Sequence, residues 1–432
     1  MPDVELKIGL GGVGTVGAAL ARLVADKGDD FAARTGRRPQ IVAYSARSPG
    51  DRGLPLGAAS YFADAVEMAG SADIDVFVEL IGGAGGVALA AVQAALARGV
   101  PVVTANKAML SAQGVALAER AEAKGVALAF EAAVAGGVPV VKTLREALAG
   151  NRIQRVSGIL NGTCNYILSR METERLPFEV CLNEAQRLGY AEADPTFDIG
   201  GFDTAHKLSI LAAIAFGARI DAGAVSVEGI ESITLADLAA ADELGYRIKL
   251  LGVAARTDHG VEQRVHPTMV AKSSALAQTM GVLNAVSIDG DAVGTLTLSG
   301  PGAGGAATAS AVASDLADIA RGIVVPAFGR PIAALVENER ASLQRHEGGY
   351  YVRLSVLDRP GSLATIARRM ADWGISLQSL MQRPGEHADA SHVGVTIITH
   401  ATTETSIREA LALTVQDGVV SDKPQVIRIE RP

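Results

Sequence analysis

A glycine-rich turn between an apolar segment and a helical segment constrains this chain more than any other feature. The segment Val4–Leu10 predicts a strand, and the turn that follows reads GLGGVGTVG, from Gly9 to Gly17. Gly12, Gly14 and Gly17 satisfy the spacing GxGxxG, in which the glycines permit a tight turn, a close approach to a pyrophosphate and close helix packing. The helix N-terminus adds unpaired N–H groups. The pattern predicts a dinucleotide-binding turn made by Gly12, Val13, Gly14, Thr15, Val16 and Gly17.

Short apolar runs alternate with alanine-rich helical runs through the first third of the chain. Continuous apolar runs are typical of strands that are covered on both faces. Strands that alternate with helices at this spacing predict a doubly wound parallel sheet. The predicted strands are residues 4–10, 41–45, 76–80, 100–104 and 126–130, and the predicted helices are 86–98 and 112–124.

The later sequence predicts two further domains. Helical runs at 179–189 and 203–216 and strand-like runs at 261–270 and 292–298 indicate an α+β domain over residues 139–302. The stretch 300–321 is predicted as a loop that opens a helix. We therefore expect a nucleotide domain over 1–138 that is completed by a returning helix within 303–330. The polar stretch 337–349 predicts a linker, and residues 350–432 predict a third domain that folds independently.

Composition limits the class of partner. Hydrophobic residues make up 49% of the 432 residues and the formal net charge is −8, which argues against nucleic acid or an anionic membrane as the main partner. The two cysteines, Cys164 and Cys181, lie in no metal-binding or disulfide spacing. The N-terminal residues lack the pattern of a secretory leader, and no apolar run is long enough to span a bilayer. We expect a cytoplasmic protein.

The end of the second predicted strand indicates which nicotinamide cofactor binds. A carboxylate at this point would bind the ribose 2′-hydroxyl of NAD. Here the strand ends Ser45-Ala46-Arg47-Ser48, so Arg47 is a candidate for the 2′-phosphate of NADP. The alternatives are that Arg47 is an ordinary surface arginine and that NAD is used.

Carboxylates and lysines form the candidate chemical site. Residues 189–207 read GYAEADPTFDIGGFDTAHK and place four carboxylates close together in sequence. Asp203 is predicted to cap a helix, with Lys207 four residues later on the same face. A carboxylate group can hold a substrate ammonium, and a lysine can move a proton, whereas a cap with a surface ion pair is the plainer interpretation. Lys107 follows a predicted strand, at the edge where α/β sheets bind ligands.

Several motifs together resemble the homoserine dehydrogenase family. They are GGVGTVG, TANK at 104–107, FEAAVAGGVPV at 130–140, GILNGTCNYIL at 158–168, the EADPTFDIGGFDTAHK run and GPGAGGAATASAV at 300–312. They cover most of residues 1–330 in the family's order. The resemblance implies an NAD(P)-dependent hydride transfer that interconverts L-homoserine and L-aspartate 4-semialdehyde, in threonine and methionine biosynthesis.

The resemblance also implies roles for individual residues. Lys207 and Lys107 match the catalytic lysines, and Lys107 also lies near the cofactor. Sodium-like ions in the family are held by backbone carbonyls. The resemblance implies that Glu192 and Asp203 bind the substrate's amino group, that Asp198 is a supporting carboxylate, and that Gly162 and Thr163 contact the substrate through backbone and hydroxyl groups. The further cofactor residues are Thr104, Gly189, Gly302 and Gly304, and the implied cation residues are Glu131, Val134, Gly136 and Val138.

Residues 350–432 resemble an ACT domain, a βαββαβ module that usually binds an amino acid. The turn Asp358-Arg359-Pro360-Gly361 precedes a predicted helix, and its free backbone donors suit a carboxylate. In this pathway the natural effector is threonine, and a chain that ends near Gly348 is expected to stay active without responding to it. A structural or dimer-forming module is the alternative. We expect a homo-oligomer, either a dimer or a tetramer.

Two other functions compete with this interpretation. One is an oxidoreductase for another amino-acid aldehyde, which the run at 192–207 disfavours. The other is a non-catalytic amino-acid sensor, which the presence of both lysines disfavours.

Overall fold

The N-terminal domain is a six-stranded parallel sheet with helices on both faces. The computed structural model describes residues 4–49, 53–337, 339–384 and 391–430. The strand order is β3-β2-β1-β4-β5-β6, so the order reverses between β1 and β4, where ligands bind in open α/β sheets. The elements are β1 (Val4–Gly11), α1 (Thr15–Thr35), β2 (Arg37–Ser45), β3 (Ser60–Phe62), α2 (Ala65–Ser71), β4 (Val76–Glu79), α3 (Gly86–Ala97), β5 (Val102–Thr104), α4 (Lys107–Lys124) and β6 (Leu128–Ala129).

The middle of the chain builds a mixed sheet with helices packed on it. Its central strands β7, β9 and β10 are antiparallel and almost wholly buried. The elements are α5 (Val140–Lys142), β7 (Ile153–Ile159), α6 (Gly162–Glu174), α7 (Phe178–Arg187), α8 (Thr196–Ile199), α9 (Phe202–Phe216), β8 (Val225–Val227), α10 (Leu235–Glu243), β9 (Tyr246–Thr257), β10 (Gly260–Ala271), α11 (Ala275–Gln278), β11 (Leu283–Gly290) and β12 (Gly294–Pro301).

The helix α12 (Gly305–Ala320) returns the chain to the N-terminal domain. It packs on α1, where a Cβ added at Gly305 would lie 3.1 Å from the Thr15 carbonyl oxygen. Val312 and Leu316 of α12 share a buried cluster with Leu6 and Ile8 of β1. The predicted return of the chain is therefore seen as a helix that covers one face of the parallel sheet.

The C-terminal domain has its own core but shares its sheet with the middle domain. Its elements are β13 (Glu347–Leu357), α13 (Ser362–Asp372), β14 (Leu377–Pro384), β15 (His392–Thr399), β16 (Thr402–Thr403), α14 (Glu404–Gln416) and β17 (Gln425–Glu430). Strand β17 pairs in parallel with β10 over Thr268–Val270, which joins both domains in one sheet of order β12-β11-β7-β9-β10-β17-β13-β15-β14. A parallel pairing between segments this far apart in sequence has no local signal, so it was not predicted.

We call the contact between the C-terminal domain and the part of the middle domain around β10 the seam. Buried charged residues form ion pairs across it. Arg428 of β17 is 2% exposed and contacts both Glu228, which precedes α10, and Glu404 of α14. Asp237 of α10 is fully buried and accepts hydrogen bonds from Tyr351 Oη (3.1 Å) and Arg353 Nε (2.7 Å) of β13. The seam is therefore a packed interface inside the chain.

The stretch expected as a linker takes part in this interface. The backbone N–H of Val261 donates to the Glu339 carbonyl at 2.8 Å, and that of Ala341 donates back to Val261 at 3.1 Å. Strand β13 begins at Glu347, within the expected linker. Its two glycines lie in an extended strand rather than in a flexible connection.

None of the helices in the described part of the chain combines the length and the apolar character that a bilayer crossing requires.

Candidate active site

The three glycines of the first turn serve three physical purposes. Gly12 has φ +98°, and a Cβ there would lie 2.5 Å from the Leu80 carbonyl oxygen. A Cβ at Gly17 would lie 2.2 Å from the Gly12 carbonyl oxygen, so Gly17 lets α1 pack closely on the turn. A Cβ at Gly14 would meet nothing within 4 Å, so the backbone there borders open space. An open approach at the N-terminus of α1 fits a phosphate.

Two cavities border this turn at the point where the strand order reverses. The larger, about 770 Å³, includes Gly12, Val13 and Gly14 together with Arg47 and Asp64 in its wall. The smaller, about 230 Å³, is lined by Gly14, Thr15 and Val16, by Glu79–Gly82 and by Ala105 and Asn106. Arg47 is exposed, at the end of β2. Asp64 was not considered in the sequence analysis; it caps α2 by accepting a hydrogen bond from Val66 N at 2.8 Å.

A buried carboxylate shapes the floor of the crevice. Glu79, at the end of β4, is fully buried and accepts hydrogen bonds from Ile81 N (2.8 Å), Gly82 N (2.9 Å) and Thr104 Oγ1 (2.5 Å). Thr104 is also fully buried, so its side chain supports the loop after β4 from behind. Its hydroxyl accepts from Asn106 N at 3.0 Å, which fixes the turn that begins α4 at Lys107.

Asp203 lies at the centre of the lysine and carboxylate cluster. Its Oδ2 accepts a hydrogen bond from Lys207 Nζ at 2.7 Å, and its Oδ1 lies 3.1 Å from Lys107 Nζ. Lys207 Nζ also donates to the Leu160 carbonyl oxygen at 2.6 Å. The structure therefore brings together a lysine from each of two domains on one buried carboxylate. Asp203 is not the helix cap that was predicted, because Gly201 occupies that position in α9.

Asn161 connects the two carboxylates of the cluster. Its Nδ2 donates to Asp198 Oδ1 at 2.8 Å and to Asp203 Oδ2 at 2.9 Å, while its Oδ1 accepts from Cys164 N at 2.8 Å and caps α6. Asn161 was missed in the sequence analysis, although it lies in the GILNGTCNYIL run next to the predicted Gly162 and Thr163. An asparagine directly before a helical run is a cap signal that could have found it.

The pKa values of Asp203 and Asp198 are shifted in opposite directions. Burial alone favours a neutral Asp203, but the charges of Lys207 and Lys107 and the hydrogen bonds from Lys207 and Asn161 hold the pKa of Asp203 well below its ordinary range. For Asp198, burial and then the charge of Asp203 outweigh the hydrogen bond from Asn161, and its pKa is raised. Asp203 is therefore a fixed negative charge, and Asp198 is the carboxylate that protonates more readily.

The other predicted substrate residues differ in their contacts and exposure. Gly162 begins α6, and a Cβ there would lie 2.7 Å from the Val282 carbonyl oxygen. Thr163 Oγ1 donates to the Tyr190 carbonyl oxygen at 2.6 Å, which ties α6 to the segment before α8. Glu192 lies exposed on that segment, and no ion pair of its carboxylate is found among the described residues.

The remaining predicted cofactor residues lie at turns. Gly189 is exposed with φ +75°, and Gly304 caps α12 with φ +106°. Gly302 is buried, and a Cβ there would lie 2.0 Å from Cγ of Asn284. A side chain at 302 is thus excluded by packing within the chain.

The predicted cation segment forms a tight turn before α5. Ala135 and Gly136 both have left-handed backbone, with φ +55° and +51°. The Glu131 carboxylate accepts hydrogen bonds from Val141 N (3.0 Å) and Lys142 N (2.7 Å), and the Val138 carbonyl accepts from Val140 N (2.8 Å). The Glu131 side chain is therefore engaged by α5, which leaves carbonyl groups as the available ion ligands.

The predicted effector turn lies at the start of α13. Asp358, Arg359 and Pro360 are exposed, and Gly361 caps the helix with φ +94°. The hydroxyl of Ser362, the first helical residue, is buried and makes no hydrogen bond in the described part of the chain. The turn thus combines the N-terminus of α13 with an unsatisfied hydroxyl.

Comparison with known proteins gives a consistent result over the whole chain. The family model described as "Homoserine dehydrogenase, NAD binding domain" matches residues 12–131, that of "Homoserine dehydrogenase" matches 139–317 and that of the "ACT domain" matches 350–413. A homoserine dehydrogenase of Pseudomonas aeruginosa is 43% identical over 99% of both chains. The crystal structure of one from Thiobacillus denitrificans is 40% identical and superimposes with a TM-score of 0.92, covering 99% of this chain and 98% of that one. A hyperthermophilic archaeal homoserine dehydrogenase in complex with NADPH is 26% identical, with a TM-score of 0.64, and covers 74% of this chain and 99% of that one.

Proposed function

This chain belongs to the homoserine dehydrogenase family and is an NAD(P)-dependent oxidoreductase, and from that premise we propose that Lys207 transfers the proton in the interconversion of L-homoserine and L-aspartate 4-semialdehyde. One observation supports this most directly. Lys207 Nζ has two acceptors, Asp203 Oδ2 and the Leu160 carbonyl, at 2.7 and 2.6 Å. An ammonium group has three N–H donors, so one donor remains for a substrate oxygen.

Lys207 would act as a base when homoserine is oxidised and as an acid when the aldehyde is reduced. The nicotinamide, when bound, accepts or supplies the hydride. Oxidation of the alcohol requires a base for the hydroxyl proton, and reduction of the aldehyde requires the same group as an acid. Lys207 Nζ lies 2.7 Å from Asp203 Oδ2, and Lys107 Nζ lies 3.1 Å from Asp203 Oδ1. The two lysines place positive charge beside the reacting group, which suits the negative charge that develops on the substrate oxygen.

We assign the substrate ammonium to Glu192 and Asp198 rather than mainly to Asp203. Both oxygens of Asp203 already contact lysines, whereas Glu192 is exposed and Asp198 is half-buried. Gly162 and Thr163 directly follow Asn161 in the chain and are proposed as further substrate contacts. The archaeal relative that binds NADPH supports NADP as the cofactor, and Arg47 in the wall of the larger cavity is the proposed partner of the 2′-phosphate.

Two further ligands are proposed at turns outside the lysine and carboxylate cluster. The carbonyls of Glu131, Val134, Gly136 and Val138 are proposed to hold a monovalent cation such as Na⁺ at the turn before α5. Threonine is proposed to bind at Asp358–Gly361 and to inhibit the enzyme from there, because its carboxylate suits the N-terminus of α13. We also propose that the enzyme is a homo-oligomer.

Steady-state kinetics with L-homoserine and each nicotinamide cofactor test the assignment of Lys207. The variant Lys207→Ala is expected to lose roughly 10²- to 10⁴-fold in kcat, the usual contribution of a positioned acid or base, with a smaller change in KM. Lys272→Ala is the matched control, because Lys272 pairs with Asp242 on the surface, in the loop after β10. Near wild-type turnover in Lys207→Ala would exclude Lys207 from the mechanism. An inactive wild-type protein would instead favour a sensor or an enzyme for another aldehyde.

A further inference from the structure

The cluster contains a buried amide that none of the roles above uses. Asn161 is 4% exposed and lies between two carboxylates that approach from different elements, Asp198 of α8 and Asp203 of α9. Each of its Nδ2 hydrogens has one carboxylate as an acceptor, at 2.8 and 2.9 Å. Its Oδ1 faces the backbone N–H of Cys164, so the hydrogen-bond network fixes the orientation of the amide.

The side-chain amide of Asn161 and the carbonyl of the residue before it are both connected to Lys207. Asp203 Oδ2 accepts from both Asn161 and Lys207, and the residue before Asn161 supplies the carbonyl that is the second acceptor of Lys207. The short turn between β7 and α6 therefore holds Lys207 in two ways. The Leu160 carbonyl contacts Lys207 directly, and the Asn161 amide contacts Asp203, which in turn contacts Lys207. A shift of about 1 Å in a catalytic group is enough to reduce turnover by about 100-fold.

We propose that Asn161 is a positioning residue: its side-chain amide bridges Asp198 and Asp203, keeps both carboxylates ionised beside each other, and thereby fixes Asp203 under Lys207 so that the lysine's remaining N–H faces the substrate. The inference rests on the proposed role of Lys207. It goes beyond that role because it predicts that the charge state of the site depends on a residue that neither transfers a proton nor carries a charge.

The charged and titratable groups around the bridge set the expected pH behaviour. Lys107 faces it from α4, Lys207 and His206 from α9, and Cys164 from α6. Without the amide donors, Asp198 and Asp203 lose a hydrogen bond to the charged form while their mutual repulsion remains, so protonation becomes easier. On acidification, an enzyme without these donors should therefore lose activity at a higher pH than the wild type does.

Two substitutions separate this role from helix capping. Asn161→Ser retains a cap acceptor for Cys164 N but cannot reach both carboxylates, and Asn161→Asp retains the acceptor but replaces the donor by a third carboxylate. Asn165→Ser is the matched control, because Asn165 is also a buried asparagine of α6 but donates to the carbonyls of Thr279 and Leu283. All three variants are compared with Lys207→Ala and wild type in pH profiles of kcat and kcat/KM, with thermal unfolding as the measure of folding.

Asn161→Ser is expected to lose about 10- to 100-fold in kcat. The acidic limb of its kcat/KM profile should move about one pH unit higher, and its KM for the cofactor should stay the same. Asn161→Asp should move the limb further. Asn165→Ser should lower the unfolding temperature without moving the limb. An unmoved limb in a folded Asn161→Ser, together with an inactive Lys207→Ala, would overturn this inference alone. An active Lys207→Ala would overturn the proposed proton transfer itself.

Discussion

Arg428 at the seam gives a prediction that the sequence alone would not suggest. Its guanidinium donates to Glu404 of the same domain at 3.0 and 2.7 Å and to Glu228 of the middle domain at 3.0 and 3.0 Å, so two of its four hydrogen bonds join the two domains. We consider the variant Arg428→Met, which keeps an apolar chain of comparable length and removes the charge. The two carboxylates then remain near each other with Arg408 as their shared cationic partner.

The expected loss of stability in Arg428→Met follows from how deeply the two carboxylates are buried. Removing one partner of a buried ion pair costs about 3–5 kcal/mol, and the lower end of this range applies here because Arg408 remains a partner of Glu404. Glu404 is 6% exposed and bears that cost, whereas Glu228 is 39% exposed and can be rehydrated. We therefore expect a loss of about 3 kcal/mol in the free energy of unfolding. If residues 139–430 unfold as one unit of roughly 290 residues, an unfolding entropy of about 2.1 cal/mol/K per residue converts this into about 5 °C.

The assay is thermal unfolding at pH 7 and pH 4, with Arg408→Met as the matched control. Arg408 contacts the same two carboxylates but is 47% exposed, so its loss should cost less than about 1 kcal/mol. Burial raises the pKa of Glu404, but the charges of Arg428 and Arg408 overcome this and lower it. The contribution of Arg428 should thus be present at pH 7 and shrink as Glu404 is protonated towards low pH. Equal unfolding temperatures for the two variants at pH 7 would refute the reasoning.

Three further predictions concern cofactor choice, the effector and a buried lysine. Arg47→Ala should raise KM for NADP by about 10-fold and leave KM for NAD unchanged; equal losses for both cofactors would rule out a contact with the 2′-phosphate. Ser362→Val should weaken inhibition by threonine without changing kcat in its absence, as measured by inhibitor titration; unchanged inhibition would place the effector elsewhere. Burial lowers the pKa of Lys249 to about 8, from 10.5. The unfolded chain therefore binds more protons than the native chain between these values, so native stability rises with pH there. Relative to Lys249→Met, the wild type should gain up to about 3 kcal/mol of unfolding free energy between pH 8 and 10.5 in denaturant titrations; parallel curves would contradict this.

Sequence reasoning succeeded where the signal was local. The strand–turn–helix around Gly12–Gly17 and the alternation that follows it depend on residues close together in the chain, and the structure contains both. The i, i+4 spacing of Asp203 and Lys207 likewise predicted their contact. These features are short-range consequences of backbone geometry.

It failed where contacts depend on distant segments or on competition between neighbouring residues. Gly201, rather than Asp203, caps α9, because a glycine in left-handed backbone precedes the helix and releases Asp203 to face the lysines. The bridging role of Asn161 depends on carboxylates 37 and 42 residues away. Only the folded chain brings these groups together, so no window of sequence could have predicted the bridge.

The shared sheet has a consequence for the solubility of shortened chains. Along one side of β10, β8 pairs with Gln263–Val265 and β17 pairs with Thr268–Val270. A chain without its last domain would keep the first of these pairings and expose the second as an open strand edge in a strand that is otherwise almost wholly buried. Such an edge is a template for pairing with another chain. The C-terminal domain thus also protects the middle domain from edge-to-edge aggregation, and shortened forms should require charged or proline substitutions near Met269 to remain monodisperse.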